Sequence, residues 1–129
     1  MEVTFMLLAD HASAENKLNL LGVFNRITAT TFPHRHHRMA LAMLLTIPTA
    51  ETEESKNLQI RLVDEDSREL LRISNPGFFA LRPSDPRATS AQVPLIFELT
   101  GVEFPEPGAY FWLLEENGTV VKELPVYLE

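Results

Sequence analysis

The sequence predicts an all-β protein, a single-domain antiparallel β-sandwich of about eight strands. Apolar residues recur mainly at every second position in short runs, and nowhere at helical spacing for three or more turns. Turn-forming residues separate these runs at intervals of about 8–12 residues, which is typical of a sandwich or a barrel. The chain has 129 residues, of which 45% are hydrophobic. We therefore expect one domain over residues 1–129, immunoglobulin-like or jelly-roll-like in architecture.

The first two strands are expected before residue 28. Residues 3–9 are apolar on both faces apart from Thr4, so this strand needs cover on both sides. A polar connection is expected over residues 10–16. Residues 17–27 then resume as a strand, and Gly22 sits where a bulge would reset the alternation.

The middle of the chain holds the candidate central strand. The cluster His34-Arg35-His36-His37-Arg38 leads into residues 39–47, the longest unbroken apolar run, which Pro48 ends. A polar loop follows over residues 50–57. Residues 58–62 alternate as a half-buried strand. A turn leads to the next strand at 69–74, which Asn75-Pro76-Gly77 closes.

The last third predicts an irregular connection and three strands. Residues 78–90 form the connection, pinned by Phe78, Phe79 and Leu81. Residues 93–99 form a strand whose Pro94 favours an edge position, and residues 101–108 interrupt the pattern.

A hairpin is expected to end the chain. Residues 110–114 alternate, Asn117-Gly118 is a strong signal for a type I′ turn, and residues 119–128 return as the last strand.

Composition excludes several classes of function. The chain has no cysteine, which removes disulfides, cysteine-bound zinc, iron–sulfur clusters and thiol nucleophiles. It contains neither a Gly-x-Ser-x-Gly motif nor a glycine-rich phosphate loop, so we expect no enzyme activity and no cofactor. The N-terminal apolar run is short and carries an acid at Glu2, so we expect no signal peptide, no membrane span and a cytoplasmic location.

The charge is unevenly distributed along the chain. The net charge is −7, which argues against a protein that coats nucleic acid or an anionic membrane. Residues 1–49 carry four basic and three acidic side chains, whereas residues 50–129 carry seven basic and fifteen acidic ones. Such asymmetry can guide self-association or the choice of a partner.

The segment Glu106-Pro107-Gly108-Ala109-Tyr110-Phe111-Trp112 resembles the corner before a late strand of immunoglobulin-like sandwiches. The resemblance implies that Tyr110 hydrogen-bonds back across the corner while its ring enters the core. Trp112 stands where antibody domains carry a cysteine, which implies an aromatic plug in place of the disulfide between the sheets.

A second resemblance runs along the chain. The motifs Leu8-Ala9-Asp10-His11-Ala12, Lys17-Leu18-Asn19-Leu20-Leu21-Gly22-Val23-Phe24 and Leu99-Thr100-Gly101-Val102-Glu103-Phe104-Pro105-Glu106-Pro107-Gly108-Ala109-Tyr110 are similar to a family of small bacterial single-domain proteins with no assigned function. The resemblance implies a β-sandwich of this size and supplies no catalytic residues.

The histidine and arginine cluster offers two kinds of site. On an extended strand His34, His36 and Arg38 share one face, and Arg35 and His37 share the other. Two histidines in His-x-His spacing can converge on a metal ion, with His11 or Asp10 as a third ligand. Arg35 and Arg38 could instead contact phosphate or nucleic acid. As a contact surface the cluster would be sensitive to pH, because neighbouring positive charges disfavour protonated histidine.

The apolar residues exceed what one sandwich core readily hides. Residues 3–9, 39–47 and 110–114 are apolar on both faces, and alternation places Phe111 and Leu113 opposite Tyr110 and Trp112. The excess indicates a protein–protein interface.

We therefore expect a non-enzymatic binding or assembly module whose partner is another protein or a second copy. The residues assigned to partner binding are Arg35, His36, His37, Arg38, Phe111 and Leu113. The alternatives are a metal-dependent enzyme or sensor built on His34, His36 and His11, and a nucleic-acid or phosphate contact through Arg35 and Arg38.

Overall fold

Two sheets packed face to face form the protein, which confirms the predicted all-β sandwich. The computed structural model describes residues 1–15 and 17–129. The strands are β1 (Glu2–Ser13), β2 (Asn19–Phe24), β3 (Arg26–Ile27), β4 (His34–Pro48), β5 (Lys56–Asp64), β6 (Glu69–Phe78), β7 (Ser90–Phe104), β8 (Gly108–Glu116) and β9 (Thr119–Leu128).

The four-stranded sheet has the order β2-β1-β4-β7, and the five-stranded sheet has the order β3-β9-β8-β5-β6. Every pair of neighbours is antiparallel except β3 and β9, which are parallel. Among the residues that the structure describes, the one helical element is a 3-10 turn at Thr49–Glu51. No helix within the described residues has the length and apolarity needed to cross a bilayer.

The core lies between the sheets and is filled by the inward half of each strand. From β4 it receives Met39, Leu41, Met43, Leu45 and Ile47, all at most 1% exposed. The facing sheet contributes a second layer, which includes Leu58, Ile60, Leu62, Trp112 and Leu114. Full burial of each such side chain stabilises the fold by about 1.5–3 kcal/mol, so this layer accounts for the packing of the two sheets.

The longest apolar run is a central strand, as predicted. It lies within β4, which pairs with β1 on one side and with β7 on the other. Pro48 is its last residue. The basic cluster belongs to the same strand, because β4 begins at His34.

Two boundaries in the first half differ from the prediction. The expected polar connection at 10–16 is wrong over its first part, because β1 continues to Ser13, while residue 16 lies outside the described residues. The expected strand 17–27 divides at Asn25, where the chain leaves the four-stranded sheet for the five-stranded one. Gly22 has φ +74° without a shift in register, and a Cβ there would collide with the carboxylate of Asp10.

Two boundaries in the second half also differ. β6 runs through the Asn75-Pro76-Gly77 segment to Phe78, and β7 continues through Gly101 to Phe104. The irregular connection between them is present, but Phe79 and Leu81 do not pin it, since they are 54% and 74% exposed. Ala80 is the residue that packs into the core there.

The corner before β8 has the predicted hydrogen bonds. The Tyr110 hydroxyl donates to the carbonyl oxygen of Glu106 at 2.7 Å and accepts from the backbone N–H of the same residue at 3.2 Å. The Tyr110 ring is 2% exposed and meets Phe104 edge to face. Trp112 is fully buried, as expected of an aromatic plug. The Asn117-Gly118 turn has positive φ at both residues, as a type I′ turn requires.

We expect Tyr110→Phe to lower the free energy of unfolding by about 1–2 kcal/mol, because it leaves the backbone groups of Glu106 without their partner. Urea denaturation at neutral pH measures the change. Tyr127→Phe is the matched control, since Tyr127 is 37% exposed. Equal effects of the two substitutions would contradict the role of the corner.

Candidate functional site

The outer face of the four-stranded sheet, which points away from the other sheet, is apolar across all four strands. The register places Ala9 between Val23 and Ala40, and it aligns Leu7 with Ala42 and Ile96. None of these side chains belongs to the core between the sheets. We call the following residues the outer apolar face: Phe5, Leu7, Ala9, Leu21, Val23, Ala40, Ala42, Leu44, Pro94 and Ile96.

The exposure of side chains on the outer apolar face differs between its centre and its β2 edge. Its centre consists of Ala9, Ala40 and Ala42, which are at most 3% exposed because larger neighbours surround them. At the β2 edge Leu21 and Val23 stand 68% and 54% exposed. The exposed part of this face therefore includes the β2 edge, whereas neighbouring residues cover the alanine methyl groups at its centre.

The sequence signal for these outward-facing alanines is the segment Met39-Ala40-Leu41-Ala42-Met43, in which large and small residues alternate. The large ones face the core and the small ones face outward. The sequence predicts a run that is apolar on both faces, but that prediction does not assign the large residues to one face and the small residues to the other.

Charged groups on this side of the sheet occur in pairs at one end. Arg38 lies 3.7 Å from Glu98, and Arg35 lies 3.8 Å from Glu103. All four side chains are at least half exposed, so each pair contributes little to stability. The pairing leaves this face close to neutral in a chain of net charge −7.

Phe111 and Leu113 lie on the outer face of the other sheet. There Leu113 is flanked by Arg61 and Glu123, while Phe111 lies beside Val63 and Pro125. Ion pairs surround these apolar residues, among them Arg61 with Glu115 and Arg72 with Glu69. The six residues assigned to partner binding therefore lie on two different sheets and do not form one surface.

The sequence predicts that His34, His36 and Arg38 share one face of the strand, and the structure confirms this for the two histidines only. His34 and His36 share a face, with Nε2 of His34 3.4 Å from Nδ1 of His36. Arg38 does not share that face, because the inward positions change from 34 and 36 to 39 and 41. The strand therefore presents two consecutive exposed residues, His37 and Arg38.

In β7, which pairs with β4, the alternation of inward and outward positions changes at the matching place. Its inward positions change from Leu99 to Val102 and Phe104, and Gly101 between them has φ +68°, which favours glycine. Because both strands shift, their register is unchanged. The aliphatic stem of Arg35 lies over Gly101, with Cδ 3.7 Å from the position of a Cβ.

The three candidate metal ligands do not converge. His11 pairs with the exposed Leu21 on the outer face, whereas His36 packs against Phe24 on the inner side, with ring centroids 5.9 Å apart. Within residues 1–15 and 17–129, no group of three or more histidine, cysteine or acidic side chains has an arrangement that could hold a metal ion.

His36 is the titratable group of the cluster whose environment alters it most clearly. Burial lowers the pKa of His36 below its ordinary value. His34 and His37 lower this pKa further, while the carboxylate of Asp10 opposes the shift. The shift comes from burial and from the neighbouring histidines, and not from the arginines that the sequence suggested. A pocket of about 340 Å³ opens beside His36.

We expect the protein to lose stability as the pH falls through about 6.5, the pKa of histidine in an unfolded chain. A depressed pKa means that the folded state resists a proton which the unfolded state accepts, so the stabilisation is present above this pH and is lost below it. Denaturant midpoints between pH 5 and pH 8 measure the effect. It should shrink in His36→Gln and persist in His37→Gln, and the opposite ranking would contradict the assignment to His36.

Comparisons with known proteins add a family and two distant likenesses. No curated protein matches the chain. It is similar to a Pseudomonas fluorescens alkylpurine DNA glycosylase, AlkC, bound to DNA containing an abasic site analog. That likeness has 14% identity and a TM-score of 0.48, and it covers 81% of this chain but only 27% of the glycosylase, about a quarter of its length. The chain is also similar to an immunoglobulin-like protein from Pseudomonas aeruginosa, with 10% identity, a TM-score of 0.45, and 99% and 95% of the two chains covered.

Neither likeness carries information about function. Residues 4–129 match the family described as a family of unknown function (DUF6941), which extends over nearly the whole chain. The protein belongs to this family.

Proposed function

We propose that the protein is a non-catalytic assembly module that binds protein partners, and a second copy of itself in particular, through the outer apolar face. The observation that carries the proposal is that apolar side chains from all four strands of this sheet point away from the five-stranded sheet, which packs on the opposite face. The face offers methyl, branched and aromatic groups and contains neither a nucleophile nor a titratable pair, which suits binding rather than catalysis.

The extent of the face fits an interface. Four strands about 4.8 Å apart and six residues about 3.4 Å apart cover roughly 400 Å² before side-chain relief is counted. Exposed apolar patches of a few hundred Å² mark interaction sites. A stable interface buries about 800 Å² on each partner, so a polar rim that includes His11, Arg38 and Glu98 would complete it.

Charge and shape support a second copy as the partner. A chain of net charge −7 repels itself over most of its surface, but the outer apolar face and its paired rim are close to neutral. A two-fold axis between stacked sheets would place the exposed Leu21 and Val23 of each copy against the outer apolar face of the other. Such an interface is self-complementary, as two-fold dimers require.

We expect the wild-type protein to show twice the mass of its 14.6 kDa chain by light scattering at micromolar concentration. Leu44→Arg should yield a monomer, since it places a charge on the outer apolar face between Phe5 and Pro94. Leu113→Arg is the matched control because it makes the same change on the outer face of the other sheet, and it should remain dimeric.

Val23→Lys tests the same face at a site that is already exposed, so it leaves the fold undisturbed. It should weaken the dimer, while thermal melting reports that the chain remains folded. A wild-type protein that stays monomeric at all concentrations, or a dimer that only Leu113→Arg disrupts, would overturn self-association through the outer apolar face.

A further inference from the structure

A groove runs along the side of the sandwich where β6 and β7, the edge strands of opposite sheets, lie next to each other without pairing. Its volume is about 410 Å³. Leu71 and Ile73 line it from β6, and Leu99 and Val102 line it from β7. The groove thus has an apolar lining between two unpaired strand edges, and it does not include the outer apolar face.

The two edges differ in how they are protected. On β7, Pro94 removes a backbone donor and Gly101 interrupts the alternation, two features that prevent another strand from adding to an edge. On β6, residues 69–74 contain neither proline nor glycine. Their only strand partner in the described part of the chain is β5, so the backbone groups on the other side are free to accept a strand.

The unprotected run of β6 is six residues long, or about 20 Å at roughly 3.3 Å per residue, which is the length of an ordinary strand. A strand added there would extend the five-stranded sheet and point every second side chain into the groove. The lining by leucine, isoleucine and valine selects apolar groups at those positions.

The acidic residues at the groove favour a ligand that carries positive charge. Glu98 and Glu103 line it from β7, and they are 65% and 53% exposed. Arg38 and Arg35 lie 3.7 and 3.8 Å from these carboxylates, so the two arginines offset part of their charge. Residues 50–129, which include both edges, hold fifteen acidic and seven basic side chains. The wider field therefore attracts a basic ligand.

We propose that this groove binds an extended, basic segment of a partner protein by strand addition to β6, with apolar side chains at alternate positions. Backbone hydrogen bonds to β6 supply affinity, and the apolar lining and the two carboxylates supply specificity. The groove does not use the side chains of the outer apolar face, although Glu98 borders both sites. It can be tested in the Val23→Lys variant, whose self-association is weakened.

The probe is a synthetic eight-residue peptide with valine at alternate positions, threonine between them and lysine at both ends. Titration into the ¹⁵N-labelled Val23→Lys variant should shift amide resonances of residues 69–74. Glu103→Lys, added to this background, should weaken binding about fivefold to tenfold, since it reverses one charge at the groove. Glu123→Lys makes the same change on the exposed outer side of β9 and should leave affinity unchanged.

A peptide with the same sequence and N-methylated amides at every valine and threonine should lose binding if hydrogen bonds to the β6 edge hold it. Equal binding of both peptides, shifts confined to other strands, or no binding at millimolar peptide would overturn the proposal. Shifts in residues 69–74 on dilution of the protein alone would show that a second copy occupies the groove, and they would also overturn it. Self-association through the outer apolar face would survive each of these results.

Discussion

The structure depends on one geometric constraint, the alternation of side chains along β4. A strand directs successive side chains to opposite faces. Packing against one face of an unbroken apolar run therefore buries only half of its apolar side chains. The inner half of this run forms the centre of the core with β5 and β8. The outer half points away from the five-stranded sheet, where Ala40 and Ala42 are buried among neighbouring residues and Leu44 is partly exposed. The alternation that builds the core therefore also places apolar side chains on the outer side of this sheet.

Much of the fold could be predicted because its signals are local. The Tyr110 corner, the Asn117-Gly118 turn and the central strand that ends at Pro48 each depend on a few adjacent residues. Strand ends were harder to place, because pairing overrides the preference of a single residue. Gly101 and Pro76 interrupt a sequence pattern, yet both lie within strands because their neighbours continue to hydrogen-bond.

The candidate site was predicted only in part, for reasons that involve several strands at once. Two-faced apolarity is visible in the sequence, but which face remains uncovered depends on the order β2-β1-β4-β7. Phe111 and Leu113 were grouped with the basic cluster, although the fold places them on the other sheet. Arg38 was assigned to the face of His36 by simple alternation. The change of phase that separates them requires a matching change at Gly101, sixty-three residues further along the chain.

The topology also determines how this chain reaches its folded state. Three pairs, β1 with β2, β5 with β6 and β8 with β9, join neighbours in sequence and can form as local hairpins. The other four pairs join residues that are distant in sequence. The longest of them, β4 with β7, brings Pro48 to Ser90 and His34 to Phe104, so it must close large loops before it gains any contact. Folds dominated by such distant contacts form in milliseconds to seconds. During that interval the hairpins expose both sides of their apolar strands, and dilute conditions should favour refolding over aggregation.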